Sequence, residues 1–322
     1  MEEKSVDFNK IINRSWKIGW KNKWLWVLGA LMALFGGGLG INFGSNFNSS
    51  SSGSNLSTSK PSAFTNLLTS SIKFIPIGSW VLLVVSFLVF IIFSVLVTWV
   101  ITSWAKGGLI AGFEEANRDN NLNLKSLSSY GTANIKKLLI FKLISIAIFW
   151  ATLLILILIV GLGFIVSSLF GHSIGIIYIA LFGILALLVF LIGLVLFAMT
   201  SIYAERLIVL KKYSPWAAWK KGLSISKGNF LSTIIMGVIN SLIGCAGGCG
   251  ILLIEILVFA FPAILIIKPI FDGGFHFPNI IKISEIVILV ILFIVINLLV
   301  RGIFVVFNYG NWNQLFGKVF EE

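Results

Sequence analysis

The chain has 322 residues, of which 58% are hydrophobic and 11% charged, and its mean hydropathy is +1.02. Soluble domains are about 45–50% apolar and about 25% charged, so this composition excludes an ordinary water-soluble fold and predicts an integral membrane protein. The net charge of +12 does not indicate a nucleic-acid partner, because basic residues collect on the cytoplasmic side of membrane proteins. We therefore expect the partner to be a lipid bilayer with anionic headgroups.

Residues 1–23 predict a cytoplasmic amphipathic tail, since they are too long and too mixed in charge for the start of a cleaved signal peptide. Apolar residues recur there at three- and four-residue steps with basic residues between them, the apolar set being Phe8, Ile11, Ile12, Trp16 and Trp20. This pattern is typical of a helix that lies in the headgroup layer. We expect Trp16, Lys17 and Lys21 to contact lipid headgroups.

Six apolar runs follow, each as long as the roughly 18–20 residues that a membrane-spanning helix needs. They cover residues 24–43, 77–104, 138–170, 174–204, 230–267 and 286–307. The sequence therefore predicts one integral membrane domain over 1–322, an all-α polytopic bundle of about six transmembrane helices arranged as three hairpins.

The distribution of Lys and Arg predicts the orientation of the chain. With six spans, all but four of the 24 Lys and Arg residues fall on the side of the N-terminus, the exceptions being Lys60, Lys73, Lys268 and Lys282. This asymmetry predicts a cell-membrane protein with cytoplasmic N- and C-termini and basic cytoplasmic connections at 105–137 and 205–229. The Ser/Asn-rich segment 44–76 is expected to be a flexible outer loop.

The fifth run, 230–267, is close to twice the length of a simple span. It contains a glycine-rich stretch at 244–250 and Pro262, both of which favour a kink or a break. One long kinked helix gives six spans, whereas a tight turn gives seven. A seventh span would move two basic residues from the cytoplasmic side to the outer side and two in the opposite direction. The charge distribution therefore does not separate these alternatives.

The connection 205–229 predicts a second amphipathic helix. Pro215 suits the first helical turn after Ser214 as the N-cap. Aromatic and basic residues then alternate as in the N-terminal tail, and we expect Trp219, Lys220 and Lys221 to contact headgroups. A unit of one interfacial helix and two spans, used three times, would explain the similarity, with a third interfacial helix near 122–138. The alternative is that the positive-inside rule and the aromatic belt alone produce it.

These segments also carry a resemblance to known proteins. The stretch from Tyr203-Ala204-Glu205-Arg206 to Lys227-Gly228-Asn229-Phe230, with Trp16-Lys17 and Lys21-Asn22-Lys23-Trp24 at the start, resembles a loose group of six-span prokaryotic membrane proteins of unknown function. The group includes the membrane domain attached to some glycerophosphodiester phosphodiesterases. The resemblance implies the six-span layout with basic cytoplasmic connections. It implies no activity, because those phosphodiesterases carry their chemistry in a separate barrel that this chain lacks.

Charged residues in the apolar runs are the first candidates for function, because a charge in the bilayer is costly to retain. Glu255 is a tentative transport residue, although in a six-span arrangement it lies near the outer edge, while Arg301 lies closer to the cytoplasmic side. Glu205 and Arg206, where the fourth span reaches the cytoplasm, are expected to form a structural salt bridge or to orient the interfacial helix.

Cys245 and Cys249 are four residues apart and share a helix face, which would permit half of a site for a soft metal. Close packing or a kink is the favoured interpretation, because the histidines, His172 and His276, are both predicted in outer loops. The sequence contains none of the common catalytic or nucleotide-binding motifs. We therefore expect no cofactor, no metal and no enzyme activity, but a structural, accessory or lipid-associated membrane protein. The alternative is a small permease or channel-like transporter that uses a broken fifth segment.

Overall fold

A computed structural model of the chain describes residues 6–36, 77–118, 122–273 and 280–320. These residues are 94% helical and include no strand. The helices are α1 (Phe8–Lys21), α2 (Trp24–Phe35), α3 (Ile77–Asn117), α4 (Leu124–Phe170), α5 (His172–Tyr178), α6 (Ile184–Leu210), α7 (Pro215–Gly228), α8 (Phe230–Gly273) and α9 (Ile280–Phe320). A π-helical segment, Ile179–Gly183, joins α5 to α6. The predicted all-α bundle is confirmed.

Five of the described helices are long and apolar enough to cross a membrane, namely α3, α4, α5–α6, α8 and α9. The remaining predicted span, 24–43, corresponds to α2, which has 12 residues. The rest of that predicted span, 37–43, lies outside the described residues, as do the predicted outer loop 44–76 and His276.

The chain divides into two compact units by its internal contacts. One comprises Met1–Ser45 and Ile101–Glu322, and the other Asn46–Val100. The second unit is described over residues 77–100, the first part of α3, where most of the described side chains are exposed and apolar. The other helices, and the last part of α3, belong to the first unit.

The fifth predicted run is a single helix, because α8 continues for 44 residues without a turn. The glycine-rich stretch lies inside this helix, where Gly247 faces the ring of Phe304 on α9 so closely that an added Cβ would lie 2.2 Å from its Cζ. The one-helix interpretation is therefore confirmed for this run. The broken segment on which the permease alternative rested is absent.

The long helices extend well beyond a bilayer. Helices α3, α4 and α9 have 41, 47 and 41 residues, and at about 1.5 Å per residue they are about 60–70 Å long, twice the roughly 30 Å hydrocarbon core. Most of the connection 105–137 is therefore a continuation of α3 and α4. Helix α4 begins in a capping box of Asn123 and Ser126. The prediction of a separate interfacial helix near 122–138 is wrong.

The two other predicted amphipathic helices are present as α1 and α7. The Asp7 carboxylate caps α1 by accepting from the Lys10 N–H at 3.0 Å. The Ser214 hydroxyl caps α7 by accepting from the Ala217 N–H at 3.4 Å, with Pro215 in the first turn. These local signals confirm both predicted helices.

The buried core lies at the basic ends of the helices. One cluster joins α6, α7 and α9 with contributions from α1, α3, α4 and α8, and a second joins α2, α3, α4 and α9. The most apolar windows of the five long helices, by contrast, are 0–17% buried. Lipid solvates such surface as well as a neighbouring helix does, so the apolar segments need little contact with one another.

Candidate functional site: a polar clasp at the basic ends of the helices

An ion pair joins α3 to α6 inside the first unit. The Lys106 ammonium lies 2.5 Å from the Glu205 carboxylate, and the two side chains are 31% and 14% exposed. Solvent screens the attraction within a half-buried pair less than within a surface pair, and burial also removes part of the hydration of both charges. The expectation that Glu205 forms a structural salt bridge to a neighbouring connection is confirmed.

Arg206 is among the largest fully buried side chains of the described residues, with 2% of its surface exposed. Its guanidinium donates to the Ile202 carbonyl at 2.8 Å and to the Tyr309 carbonyl at 3.3 Å, and it lies 5.8 Å from the centre of the Tyr309 ring. Its Nε has no hydrogen-bond partner among the described residues. Two carbonyls and an aromatic ring thus solvate a charge that would otherwise be costly to bury.

Tyr309 links Arg206 to the Lys106–Glu205 ion pair. Its backbone carbonyl accepts from Arg206, and its phenol interacts with the Lys106 ammonium. Lys106, Glu205, Arg206 and Tyr309 together form what we call the polar clasp. The clasp ties α3, α6 and α9 to one another at one level of the bundle.

Further polar contacts radiate from the same end of α9. The Asn311 amide donates to the Asn240 Oδ1 on α8 at 2.7 Å, and the Asn313 amide donates to the Ile110 carbonyl on α3 at 2.9 Å. A hydrogen bond of 2.7 Å between the Tyr203 and Thr233 hydroxyls links α6 to α8. Because Arg206, Asn240 and Ile110 lie on α6, α8 and α3 and each hydrogen-bonds to a residue of α9, α9 fixes the relative position of these three neighbours.

Two glycines bring α2 against α9. An ideal Cβ on Gly302 would lie 2.7 Å from the Ala30 nitrogen, and one on Gly29 would lie 2.3 Å from the Gly302 oxygen. The backbones therefore touch, which only glycine permits. This contact holds α2, and with it the end of α1, against the helix that carries Tyr309.

The basic–aromatic face of α1 is defined by Trp16, Lys17, Trp20 and Lys21. The Trp16 and Trp20 rings stack with centroids 5.4 Å apart, Trp20 also contacts Trp26 of α2 at 5.0 Å, and all four residues of the face are exposed. The opposite side of α1 packs on α9 through Ile11, Ser15 and Gly19, which are buried. Helix α1 is therefore docked on the bundle, not merely adsorbed to a lipid surface.

The basic–aromatic face of α7 is defined by Trp216, Lys220 and Lys221. These residues are exposed, and the Lys220 ammonium lies 5.4 Å over the Trp216 ring. Trp219 is only partly exposed and packs between Phe141 of α4 and Phe197 of α6, with centroid distances of 6.1 and 5.2 Å. Within α7 the exposed ring is therefore that of Trp216, while Trp219 anchors the helix to the bundle.

Two other candidate residues, Cys245 and Cys249, are not brought into this site. Glu255 lies within α8, and its side chain is outside the described part of the structure. Cys245 and Cys249 are exposed, so the close packing expected of them is made by Gly247. Within the described residues no group of three or more His, Cys, Asp or Glu side chains could hold a metal ion.

Sequence reasoning missed Lys106 and Tyr309 as members of the clasp. A usable signal was the segment 308–314, Asn-Tyr-Gly-Asn-Trp-Asn-Gln, which is polar, uncharged and placed directly after an apolar span. Three asparagines lower the helix propensity of this segment, and amide groups next to an apolar span are costly to bury unless they have hydrogen-bond partners. No pattern in the sequence identifies which partners they find.

Searches with family models, among curated proteins and among solved structures gave no match to this chain. Fold and site therefore define its class by physical character alone. It is a polytopic α-helical membrane protein whose helices are locked together by polar contacts at their basic ends.

Proposed function

We propose that this protein is a non-enzymatic, lipid-associated component of the cell membrane, with both termini in the cytoplasm, that binds anionic headgroups through the basic–aromatic faces of α1 and α7. One observation carries the proposal. Helix α1 is docked on α9 through its buried residues Ile11, Ser15 and Gly19 and still leaves Trp16, Lys17 and Trp20 exposed.

Exposed tryptophan stacks are unfavourable in water and favourable at a membrane interface, where an indole ring meets both chains and headgroups. Each lysine held near an anionic leaflet contributes about 1 kcal/mol of attraction. A docked helix has already lost its conformational freedom, so adsorption of this face needs no further ordering. These contributions favour headgroup binding by a helix that is already docked on the bundle over binding by a free amphipathic tail.

The resemblance to six-span prokaryotic membrane proteins supports the same layout. The proposed absence of enzymatic activity rests on the sequence, which offers no catalytic motif, and on the clasp, whose ionisable groups are engaged with one another. The net positive charge supports lipid, not nucleic acid, as the partner, because the sequence predicts that the basic residues lie along one membrane face.

Energy transfer from tryptophan to dansyl-labelled lipid tests the headgroup proposal in nanodiscs that contain the full-length protein. Dansyl-phosphatidylglycerol should accept more energy than dansyl-phosphatidylcholine. The ratio of energy transfer to dansyl-phosphatidylglycerol over transfer to dansyl-phosphatidylcholine should fall towards one in a Lys220→Glu/Lys221→Glu variant. It should also fall when the salt concentration rises from 0.1 to 1 M, because the Debye length falls from about 10 to about 3 Å.

A Lys60→Glu/Lys73→Glu variant is the matched control, since it reverses two charges on the predicted outer side. It should keep the preference of the wild-type protein. A ratio of one in the wild-type protein, or an equal effect of the two double variants, would contradict the proposal. A reporter fused after Glu322 tests the orientation separately and should be cytoplasmic.

A further inference from the structure

A pair of lysines lies where α4 meets the turn between α6 and α7, residues 211–214. The Lys137 ammonium donates to the Lys212 carbonyl at 3.1 Å, and the Lys212 ammonium lies 3.5 Å from the Asn134 Oδ1. Asn134 is 2% exposed, and its amide nitrogen donates to the Tyr130 carbonyl at 2.9 Å. Reciprocal contacts with one buried anchor therefore hold two ammonium groups from distant parts of the chain in one small region.

The contacts of these two lysines supply no negative charge. A backbone carbonyl and an amide oxygen are neutral, and each ammonium has three N–H donors, of which these contacts use one. Among the described residues, no carboxylate forms an ion pair with Lys137 or Lys212. The adjacent Lys211 ammonium also has a neutral partner, the Phe320 ring, whose centre is 4.6 Å away. Positive charges that lie together in this way attract an anion.

The turn that carries Lys212 has a well-defined backbone. The N–H groups of Lys211 and Tyr213 both donate to the Leu207 carbonyl at 3.2 Å, which closes α6, and Ser214 then caps α7. Lys212 has a φ of +59° and is the only non-glycine residue with positive φ in the described part of the chain. Glycine adopts this conformation at lower steric cost, so the fold itself does not require a lysine here. A residue held in a sparsely populated conformation indicates a functional reason, and the distinctive property of this one is its charge.

Apolar surface borders the lysines on the side of the membrane span. Ile140 and Leu143 are the next exposed residues of α4 after Lys137, with 50% and 54% of their surfaces exposed, and they lead into the apolar segment of that helix. A lipid fits this arrangement, because its headgroup can lie at the lysines while its acyl chains lie along Ile140 and Leu143.

We propose that Lys137 and Lys212 bind one phosphate group where α4 meets the α6–α7 turn. Ammonium groups bind phosphate as point charges, and basic sites between transmembrane helices on the cytoplasmic side bind acidic lipid headgroups. The phosphate belongs to a lipid headgroup or is free phosphate, and the bordering apolar surface favours the lipid. The site goes beyond the proposed function, because neither lysine belongs to the basic–aromatic faces of α1 and α7.

Protection of single lysines from acetylation tests the site in the delipidated full-length protein, held in an uncharged detergent. Peptide mass spectrometry measures the acetylation of each lysine while dihexanoyl-phosphatidylglycerol, dihexanoyl-phosphatidylcholine or inorganic phosphate is titrated. Phosphatidylglycerol should protect Lys137 and Lys212 together, with a midpoint at least about tenfold lower than that of phosphatidylcholine, since one charge-assisted hydrogen bond accounts for such a factor. The exposed Lys136 is the internal control and should not share this protection. Equal protection by inorganic phosphate would support the same site with a free anion as its ligand, whereas protection by neither anion would overturn the proposal.

A Lys212→Gly variant separates the charge from the fold. It should not lower the stability of the protein, because glycine suits the left-handed backbone, yet it should raise the midpoint for protection of Lys137 by about tenfold or more. An unchanged midpoint would contradict the assignment. A Lys220→Gln/Lys221→Gln variant should keep the protection of Lys137, so failure of this site and failure of the headgroup faces are distinguishable. Loss of protection in that variant would assign the binding to α7 instead.

The C-terminal carboxylates are the alternative counter-charge. Glu321 and Glu322 follow Phe320, whose ring contacts Lys211. A Glu321→Gln/Glu322→Gln variant should have the same midpoint for phosphatidylglycerol as the wild-type protein, or a lower one. Protection that appears only in this variant would identify the chain's own carboxylates as the partners of the two lysines and would overturn the proposal.

Discussion

The contact between Gly29 and Gly302 gives the sharpest test of how the helices are held together. Gly302→Ala places a methyl group 2.7 Å from the Ala30 nitrogen and 3.0 Å from the Ala30 Cα. Ordinary contact begins near 3.4 Å, so α2 and α9 must separate by about 0.7 Å at their closest point. The obstacles are backbone atoms, and no side-chain rotation relieves them.

Overpacking of this kind costs about 1–3 kcal/mol. Gly193→Ala is the matched control, because an added Cβ there meets nothing within 4 Å. It should be neutral or stabilising by up to about 1 kcal/mol through helix propensity alone. The free energy of unfolding, obtained by titrating the purified protein from mild detergent into SDS while following tryptophan fluorescence, should separate the two variants by about 1–4 kcal/mol. Equal stability of Gly302→Ala and Gly193→Ala would refute the backbone contact.

Three further predictions use the same titration. A double-mutant cycle of Lys106→Met and Glu205→Gln should give a coupling energy of about 1–2 kcal/mol, and a value near zero would remove the ion pair as a link between α3 and α6. Asn311→Leu should lower the free energy of unfolding by about 1–3 kcal/mol, because it leaves the Asn240 oxygen buried without its donor. Adding Asn240→Leu should recover part of that loss. A further loss of stability in the double variant would argue against the amide pair. Trp219→Ala should cost about 2–3 kcal/mol, less than for a fully buried ring, and an unchanged stability would show that this ring does not anchor α7.

Regular local signals made the helical layout predictable from sequence. Runs of apolar residues indicated the spans, the three- and four-residue steps of apolar residues indicated α1, and Ser214 with Pro215 indicated the start of α7. Each of these signals acts within one turn or one span, so it can be interpreted without knowing the neighbours. The third interfacial helix was predicted wrongly because Asn123 and Ser126 cap a helix that then continues directly into its span.

The polar clasp was harder to predict from the sequence, because its contacts join residues that are far apart in the chain. Glu205 and Arg206 were noticed as charges at the end of a span, yet Lys106 lies 99 residues from Glu205 and the Tyr309 carbonyl lies 103 residues from Arg206. Trp219 shows a related limit. Its spacing placed it on the same basic–aromatic helix as Trp216, and only the positions of Phe141 and Phe197 separate the buried ring from the exposed one.

Polar contacts are concentrated at the basic ends of the helices because the apolar segments of the same helices are solvated by lipid. Between apolar segments in lipid there is little hydrophobic driving force for association, since a neighbouring helix and an acyl chain are equally apolar. Specific packing must then come from close backbone contact, as at Gly302, or from polar groups that have no better partner, as at Asn311 and Arg206. Both kinds of contact converge on α9, from which α2, α3, α6 and α8 take their positions.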